Sequence, residues 1–343
     1  MHKVQFGFCL PIFAAPGARF FRTPNYAQLD PVTTFQMGQA ADALGYDSLW
    51  VADHLMLGRD EAIMEGWTTL AALAGSTKKA RLGLIHQGHF FRNAALVAKM
   101  TSTLDHISQG RFIYFVDAGY GQREHQCYGL PYPATMEERM EQVVDGLELT
   151  LALWGADEPL THQGKFHQVT GAVNMPLPVQ KPHPPVWFGE AHPSILAACA
   201  RYGQGWNTVP VGYDEVKRRL ELLAEACAAE GRSVEELERS LETQILIAPD
   251  TAGLRAALQK MIDLEPGAKL PDGLDRFLAG DTDELPQSVL KAWIIGTPDM
   301  VAAQVQSYID LGITHFLFWF MDAPDKAGLE LFAQEVAPRF RGA

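Results

Sequence analysis

The feature that most constrains this chain is a short apolar run followed by an amphipathic stretch, repeated along its length. Residues 4–10 are apolar, and residues 31–44 (PVTTFQMGQAADAL) space their apolar positions as a helix that stops at Gly45. Glycine there suits the left-handed conformation that ends helices. The unit then recurs. Residues 47–52 (DSLWVA), 81–86 (RLGLIH) and 112–117 (FIYFVD) read as strands, with helices over 67–76, 94–107 and 136–154 between and after them. Further strands are expected at 186–190, 205–209, 243–248 and 315–320, with helices at 193–202, 213–230, 298–311 and 327–340.

Short apolar strands each followed by a helix are what a parallel sheet buried on both faces requires. Eight such units favour an α/β fold of the closed (β/α)8 TIM-barrel type over an open doubly wound sheet. The 343 residues exceed the roughly 250 of a plain barrel. The excess falls in two insertions, about 155–185 before the fifth strand and about 251–286 after the seventh. No long Gly/Ser or Pro-rich tract marks a linker, so residues 1–343 read as a single domain.

Composition narrows the partners. With 28 Lys+Arg against 41 Asp+Glu and no basic cluster, the chain lacks the patches that nucleic acid or an anionic membrane surface requires. No window of 18 uncharged apolar residues predicts a membrane span. The apolar start is broken by Pro11 and reads as a strand, not a signal peptide. Cys9, Cys127, Cys199 and Cys227 are dispersed, without a CxxC pair, which points to free, packed thiols in a reducing compartment and so to a cytoplasmic protein.

In a barrel of this kind the chemistry sits at the C-terminal ends of the strands. Asp53 and His54 follow the second strand, His86 the third, Asp117 the fourth and Glu190 the fifth. Each alone can be a polar strand terminus; several converging on one mouth make a pocket. All five are competent metal ligands, but no HxH or HExxH spacing supports a metal site, and there is no GxSxG elbow. The segment GEAHPS, 189–194, leads from a strand into a helix with Pro193 in its first turn, an arrangement suited to a phosphate or to an ordinary helix start with Ser194 as cap. DAGYG at 117–121 lacks the full GxGxxG arrangement of a dinucleotide site.

Taken together, these segments resemble the bacterial luciferase-like flavin monooxygenases, a group that includes alkanesulfonate monooxygenase and deazaflavin-dependent reductases. The resemblance runs through FGFCLP, YDSLWVADH, RLGLIHQGHFFRNAALVAKMTSTLDHISQGRF, AGYGQREHQCYGLPY, ERMEQVVDGLELTLALW, GKFHQV, PVQKPHPPVWFGEAHPSILAACARYGQGWN and GTPDMVAAQVQSYIDLGITHFLF. It implies reduced flavin at the barrel mouth, with a non-prolyl cis peptide at Ile85–His86 behind the ring. It also implies a phosphate held by the turn of Gly189, Glu190, Ala191 and Ser194. The family often has Ser where this chain has Ala191, which leaves the hydroxyl contribution to Ser194.

His54 matches the histidine that serves the family as an acid/base, and imidazole changes charge near neutral pH. The structural alternative for His54 is a hydrogen bond to Asp53. Asp117 replaces residues that contact the ring edge. Glu124 matches a family glutamate, and a bridge to Arg139 is its expected role. The resemblance implies FMN, received reduced from a separate flavin reductase, with O2 and a small organic substrate, in a homodimer or higher homo-oligomer. The expected activity is that of an FMN-dependent monooxygenase; the alternatives are a deazaflavin-dependent hydride-transfer enzyme and a non-catalytic flavin-binding protein. Residues 251–286 are expected to supply a lid. Phe13, Phe20, Phe21, Phe90, Phe91 and Trp319 are candidates for an apolar substrate wall.

Overall fold

A computed structural model of the chain describes residues 3–14, 28–264, 267 and 269–341. Its strands in chain order are β1 (Gln5–Cys9), β2 (Ser48–Ala52), β3 (Arg81–Ile85), β4 (Phe112–Val116), the hairpin β5 (Leu160–Gln163) and β6 (Gln168–Ala172), β7 (Val186–Gly189), β8 (Gly205–Thr208), β9 (Glu238–Ile247), β10 (Ile294–Gly296) and β11 (His315–Phe320). The large sheet runs β10-β9-β11-β1-β2-β3-β4-β7-β8, and pairing of β9 with β8 closes it. All of its neighbouring pairs are parallel. The ring is therefore the expected eight-stranded barrel, with β10 outside it.

The helices are α1 (Pro31–Leu44), α2 (Gly66–Ser76), α3 (Ala94–Ile107), α4 (Gln122–Cys127), α5 (Met136–Gly155), α6 (Pro193–Tyr202), α7 (Tyr213–Ala229), α8 (Thr251–Asp263), α9 (Leu274–Ala279), α10 (Gln287–Leu290), α11 (Pro298–Asp310) and α12 (Ala327–Leu331). Local chemistry sets several boundaries. Asp30 accepts from the amides of Val32 and Thr33 ahead of Pro31, and Gly45 closes α1 with φ 84°. Thr135 and Glu138 form a reciprocal capping box at the start of α5. None of the described helices is long and apolar enough to cross a membrane.

The lower barrel is filled by paired large and small residues. Trp50 on β2 and Trp187 on β7 lie 5.2 Å apart between ring centroids. A methyl group on Gly83 would sit 2.2 Å from Trp50, and one on Gly205 2.3 Å from Trp187. Glycine is required at both positions by space, because the indole occupies the volume of the missing side chain. Gly83→Ala is expected to cost about 1–3 kcal/mol of stability, read as a lower urea midpoint at unchanged slope. At the N-terminal strand ends, Arg81 pairs with Glu238 at 2.6 Å, and His315 stands 3.3 Å from the same carboxylate. Burial raises the Glu238 carboxyl, but His315 and Arg81 outweigh it and hold the group well below the usual carboxylate range.

The structure departs from the sequence expectation in several places. β9 begins at Glu238, not 243, because Glu238, Ser240 and Glu242 alternate on its inner face and are hydrogen-bonded there to Arg81, Asn207 and His86. Internal partners make a charged segment compatible with a buried strand. The insertion at 155–185 holds the β5–β6 hairpin, and β10 extends the C-terminal half of β9 through Ile294↔Ile245. The final helical stretch is composite: α12 passes into a π turn at Phe332–Val336 and a 3-10 turn at Ala337–Phe340 containing Pro338. Cys9, Cys199 and Cys227 are buried free thiols, whereas Cys127 is exposed.

Candidate active site

The ends of β2, β3, β4, β7, β9 and β11 enclose a cavity of about 300 Å3 at the C-terminal mouth of the barrel. Phe13, Leu57, Ile85, Val209 and Trp319 supply apolar wall, and His54, His86, Tyr120, Glu190 and Glu242 its polar points. Few polar groups in an apolar wall is the usual makeup of a small-molecule site. A larger cavity of about 690 Å3 lies beyond the ends of β9 and β11, against α8 and α12; it is lined in part by the segment expected as a lid and contains none of the candidate site residues.

His54 follows β2 and meets Glu124 of α4, with Nδ1 2.9 Å from Oε1. The second oxygen of Glu124 accepts from the amides of Leu55 at 2.8 Å and Met56 at 3.3 Å. Burial raises the Glu124 carboxyl, but His54 and these amides outweigh it and hold it low. An ionised carboxylate only accepts, so in the neutral form of the imidazole it places the proton on Nδ1 and leaves Nε2 as the lone-pair acceptor. This corrects two expectations. Glu124 does not bridge to Arg139, which instead donates to the carbonyls of Pro133 and Ala134. Asp53 is not the partner of His54: it is buried and accepts from Arg92 at 2.7 and 2.9 Å and from the Gly88 amide at 3.1 Å.

His86, just past β3, links Asp117 and Glu242. Its Nδ1 is 3.1 Å from Asp117 Oδ2 and its Nε2 2.9 Å from Glu242 Oε2. Asp117 also accepts from Gly119, and Trp319 donates to Glu242 at 2.6 Å. Burial alone would lower the His86 pKa; the hydrogen bonds and charges of Asp117 and Glu242 outweigh it and push the value up to about 10. His86 is therefore an imidazolium at neutral pH. Because its folded pKa is raised, its stabilising contribution is full below about pH 6.5, where the unfolded imidazole is also protonated. It is lost as pH rises toward about 10. The stability difference between the native chain and His86→Asn, followed by urea unfolding, is expected to shrink steadily from pH 7 to 10.

The implied cis bond is not present. Among the described residues the cis peptide bonds all precede proline, at Met175–Pro176, Lys181–Pro182 and Ala323–Pro324. At the end of β3 the backbone turns instead through a left-handed residue, His86, with φ 57°. Glu190 is also left-handed, with φ 74°. Such a conformation in a non-glycine residue costs about 1–3 kcal/mol and is held by its surroundings. For Glu190 those are its amide bond to Asn207, the Trp206 indole on its carbonyl, and Arg219 2.9 Å from its carboxylate.

Gly189, Ala191 and Ser194 stand differently from their neighbours at the mouth. Gly189 is buried, and a methyl group there would come within 2.9 Å of Phe115 and 3.0 Å of Asp117. Ala191 is partly buried against the core. Ser194 does not line the mouth cavity but a groove between α5 and α6. The cap of α6 is not Ser194 but His192, whose Nδ1 accepts from the Ser194 amide at 3.3 Å. The described residues of 251–286 supply none to the mouth cavity; Leu254, Leu258, Leu274 and Phe277 among them join Val289 and Trp293 in a second core. Of the aromatic candidates, Phe13 and Trp319 line the cavity, Phe91 stacks on His125 at 4.4 Å, and Phe20 and Phe21 lie outside the described residues.

A model of the luciferase-like monooxygenases matches residues 13–315. The chain belongs to this family. Within the luciferase-like family, the F420-dependent glucose-6-phosphate dehydrogenase of Amycolatopsis mediterranei (strain U-32) is 26% identical over 327 residues, covering 92% of this chain and 96% of that protein. In fold, the chain is similar to an F420-dependent secondary alcohol dehydrogenase, solved with an F420-acetone adduct, at a TM-score of 0.75 and 21% identity over 99% of this chain and 100% of that one. It is likewise similar to the EDTA monooxygenase of Chelativorans sp. BNC1, at a TM-score of 0.78 and 18% identity over 98% and 93% of the two chains. These two likenesses are of the luciferase-like barrel itself. Family membership makes the chain an oxidoreductase.

Proposed function

We propose that this luciferase-like protein is a deazaflavin-dependent oxidoreductase that moves a hydride between a small organic substrate and the cofactor. The single observation that carries the reading is the His54–Glu124 pair: a histidine at the cavity wall whose tautomer is fixed by a buried carboxylate. Such a group suits the proton that must leave an alcohol oxygen when its carbon gives up hydride. The choice of cofactor follows the curated relatives, which are named as F420-dependent dehydrogenases across nearly their whole length. Reduced FMN with O2, the first expectation from sequence, becomes the second reading, supported by the likeness to a monooxygenase barrel.

The cavity fits a planar ring on its own terms. Its walls at Ile85, Val209 and Trp319 are apolar, and the Tyr120 hydroxyl beside them is buried without a hydrogen-bond partner among the described residues. Ile85, Val209, Trp319 and Tyr120 would hold the ring. A deazaflavin, when bound, supplies two-electron hydride chemistry that needs no oxygen. His54 takes or returns the proton at Nε2, Glu124 holds the imidazole in the required tautomer, and the apolar wall excludes water. Fluorescence titration tests the choice of cofactor: submicromolar deazaflavin binding that excess FMN does not displace supports the proposal, and the reverse preference overturns it.

A further inference from the structure

Two histidines meet outside the mouth cavity, where the β5–β6 hairpin rests on the barrel. His89 lies in the turn between β3 and α3, and His167 directly precedes β6. Their Nε2 atoms are 3.3 Å apart, with the ring planes at 87° and the centroids 5.3 Å apart. Helix α5 seats the hairpin: the Asp145 carboxylate accepts from the amides of Lys165, Phe166 and His167 at 2.8, 3.0 and 2.7 Å. The backbone carbonyl of Gln142 accepts from the His167 ring. With Nε2 turned to His89, that donor is Nδ1, and Nε2 of His167 carries the lone pair. Both rings lie over Gly146, where a methyl group would stand 3.0 Å from either Nε2 and 2.4 Å from His89 Cε1. Glycine weakens a helix interior, and here it leaves room for the two imidazoles. Burial lowers the pKa of both rings, against the charge of Asp145, so both are neutral at pH 7.

The separation of the rings is that of two ligands on one ion. A nitrogen donor reaches its acceptor at about 2.7–3.2 Å, and this pair stands outside that range at 3.3 Å. Two imidazole nitrogens, each about 2.0–2.1 Å from one tetrahedral ion, are about 3.3–3.4 Å apart, with ring centroids at about 5.1–5.3 Å; right-angled coordination would bring the nitrogens to about 2.8–3.0 Å. The carbonyl on the far nitrogen of His167 is the support that ligating histidines characteristically have. We propose that His89 and His167 hold a tetrahedral Zn2+ through their Nε2 atoms, with water completing the coordination, and that the ion clips the β5–β6 hairpin to the barrel. Among the described residues no group of three or more His, Cys, Asp or Glu forms a fuller metal site. On binding, His89 exchanges its Nε2 proton for one on Nδ1, and both rings remain neutral ligands. Neither histidine lines the mouth cavity, so the site is independent of the choice of cofactor.

The test uses the full chain after chelator treatment. Zinc is titrated in competition with a chromophoric indicator, and hydrogen exchange of residues 160–172 is followed by mass spectrometry with and without zinc. The expected result is one Zn2+ per chain at micromolar free zinc, with slower exchange across the hairpin. His89→Gln and His167→Gln are each expected to weaken this binding at least about tenfold and to remove the protection. His192→Gln, a change at another histidine, is expected to leave both unchanged. Co2+ in place of zinc is expected to show the intense visible bands of a tetrahedral ion. Absence of bound zinc, zinc retained undiminished by both variants, an octahedral Co2+ spectrum, or binding that leaves the exchange of the hairpin unaltered overturns the proposal. The two variants change different elements of the fold, so if one fails to fold the other decides.

Discussion

Replacing His54 with alanine is expected to lower kcat by about 100- to 10,000-fold while deazaflavin binding changes only a few-fold. The magnitude is that of a positioned acid/base. His54 Nδ1 is committed to Glu124 at 2.9 Å, and Glu124 is fixed by the amides of Leu55 and Met56. The imidazole thus presents Nε2 without having to reorganise. Glu124→Gln, which can offer the imidazole a donor as well as an acceptor, is expected to give a smaller loss and a changed pH profile, because the tautomer is no longer fixed. Steady-state kinetics with fluorescence binding separates the two effects. A His54→Ala enzyme that turns over normally contradicts the acid/base role.

Arg92→Ala is expected to destabilise the fold by about 3–5 kcal/mol, the cost of leaving a buried charge unpaired. Asp53 is 1% exposed, and Arg92 meets it at 2.7 and 2.9 Å while also reaching Glu65 at 2.6 Å. Burial already pushes the Asp53 carboxyl upward against the pull of Arg92. Without the guanidinium the carboxyl must either protonate or stay charged in an apolar surround. Arg92→Lys keeps a charge but not the two-pronged geometry, so an intermediate loss is expected. The double variant Asp53→Asn, Arg92→Met is expected to be less destabilised than Arg92→Ala alone, since it leaves no orphan charge. Urea unfolding reads all three, and a loss below about 1 kcal/mol for Arg92→Ala would show that the pair is not desolvated in solution.

The helices α1 and α5 and the strand β9 differ in how openly the sequence declares them. Asp30, Pro31 and Gly45 state both ends of α1 locally, and Thr135 with Glu138 states the start of α5. Periodicity and short apolar runs then suffice for the barrel, because burial on both faces forces that composition. β9 was legible only in its apolar half. Glu238, Ser240 and Glu242 look like solvated residues until their partners across the barrel are known, and those partners are 33 or more residues away in sequence.

The same limit governs the site. His54, His86, Asp117 and Glu190 could be read from their places at strand ends. Their pairings could not, since Glu124 lies 70 residues from His54 and Glu242 lies 156 from His86. The nearer candidates, Asp53 for His54 and Arg139 for Glu124, each have other partners. Alternation of acidic and hydroxyl residues at 238, 240 and 242 was the available signal, a period of two that marks one face of a strand. Left-handed His86 and Glu190 carried no signal of their own, because positive φ in these residue types is imposed by the fold and not by the residue.

The central claim is that hydride leaves a substrate carbon for a deazaflavin, without oxygen. The most direct measurement is anaerobic turnover of a secondary alcohol deuterated at its carbinol carbon, with mass analysis of the cofactor. The predicted result is bleaching of the oxidised deazaflavin without O2, one deuterium in the reduced cofactor and ketone as product. Turnover that occurs only with reduced FMN and O2, with an oxygen atom from O2 in the product, would contradict it.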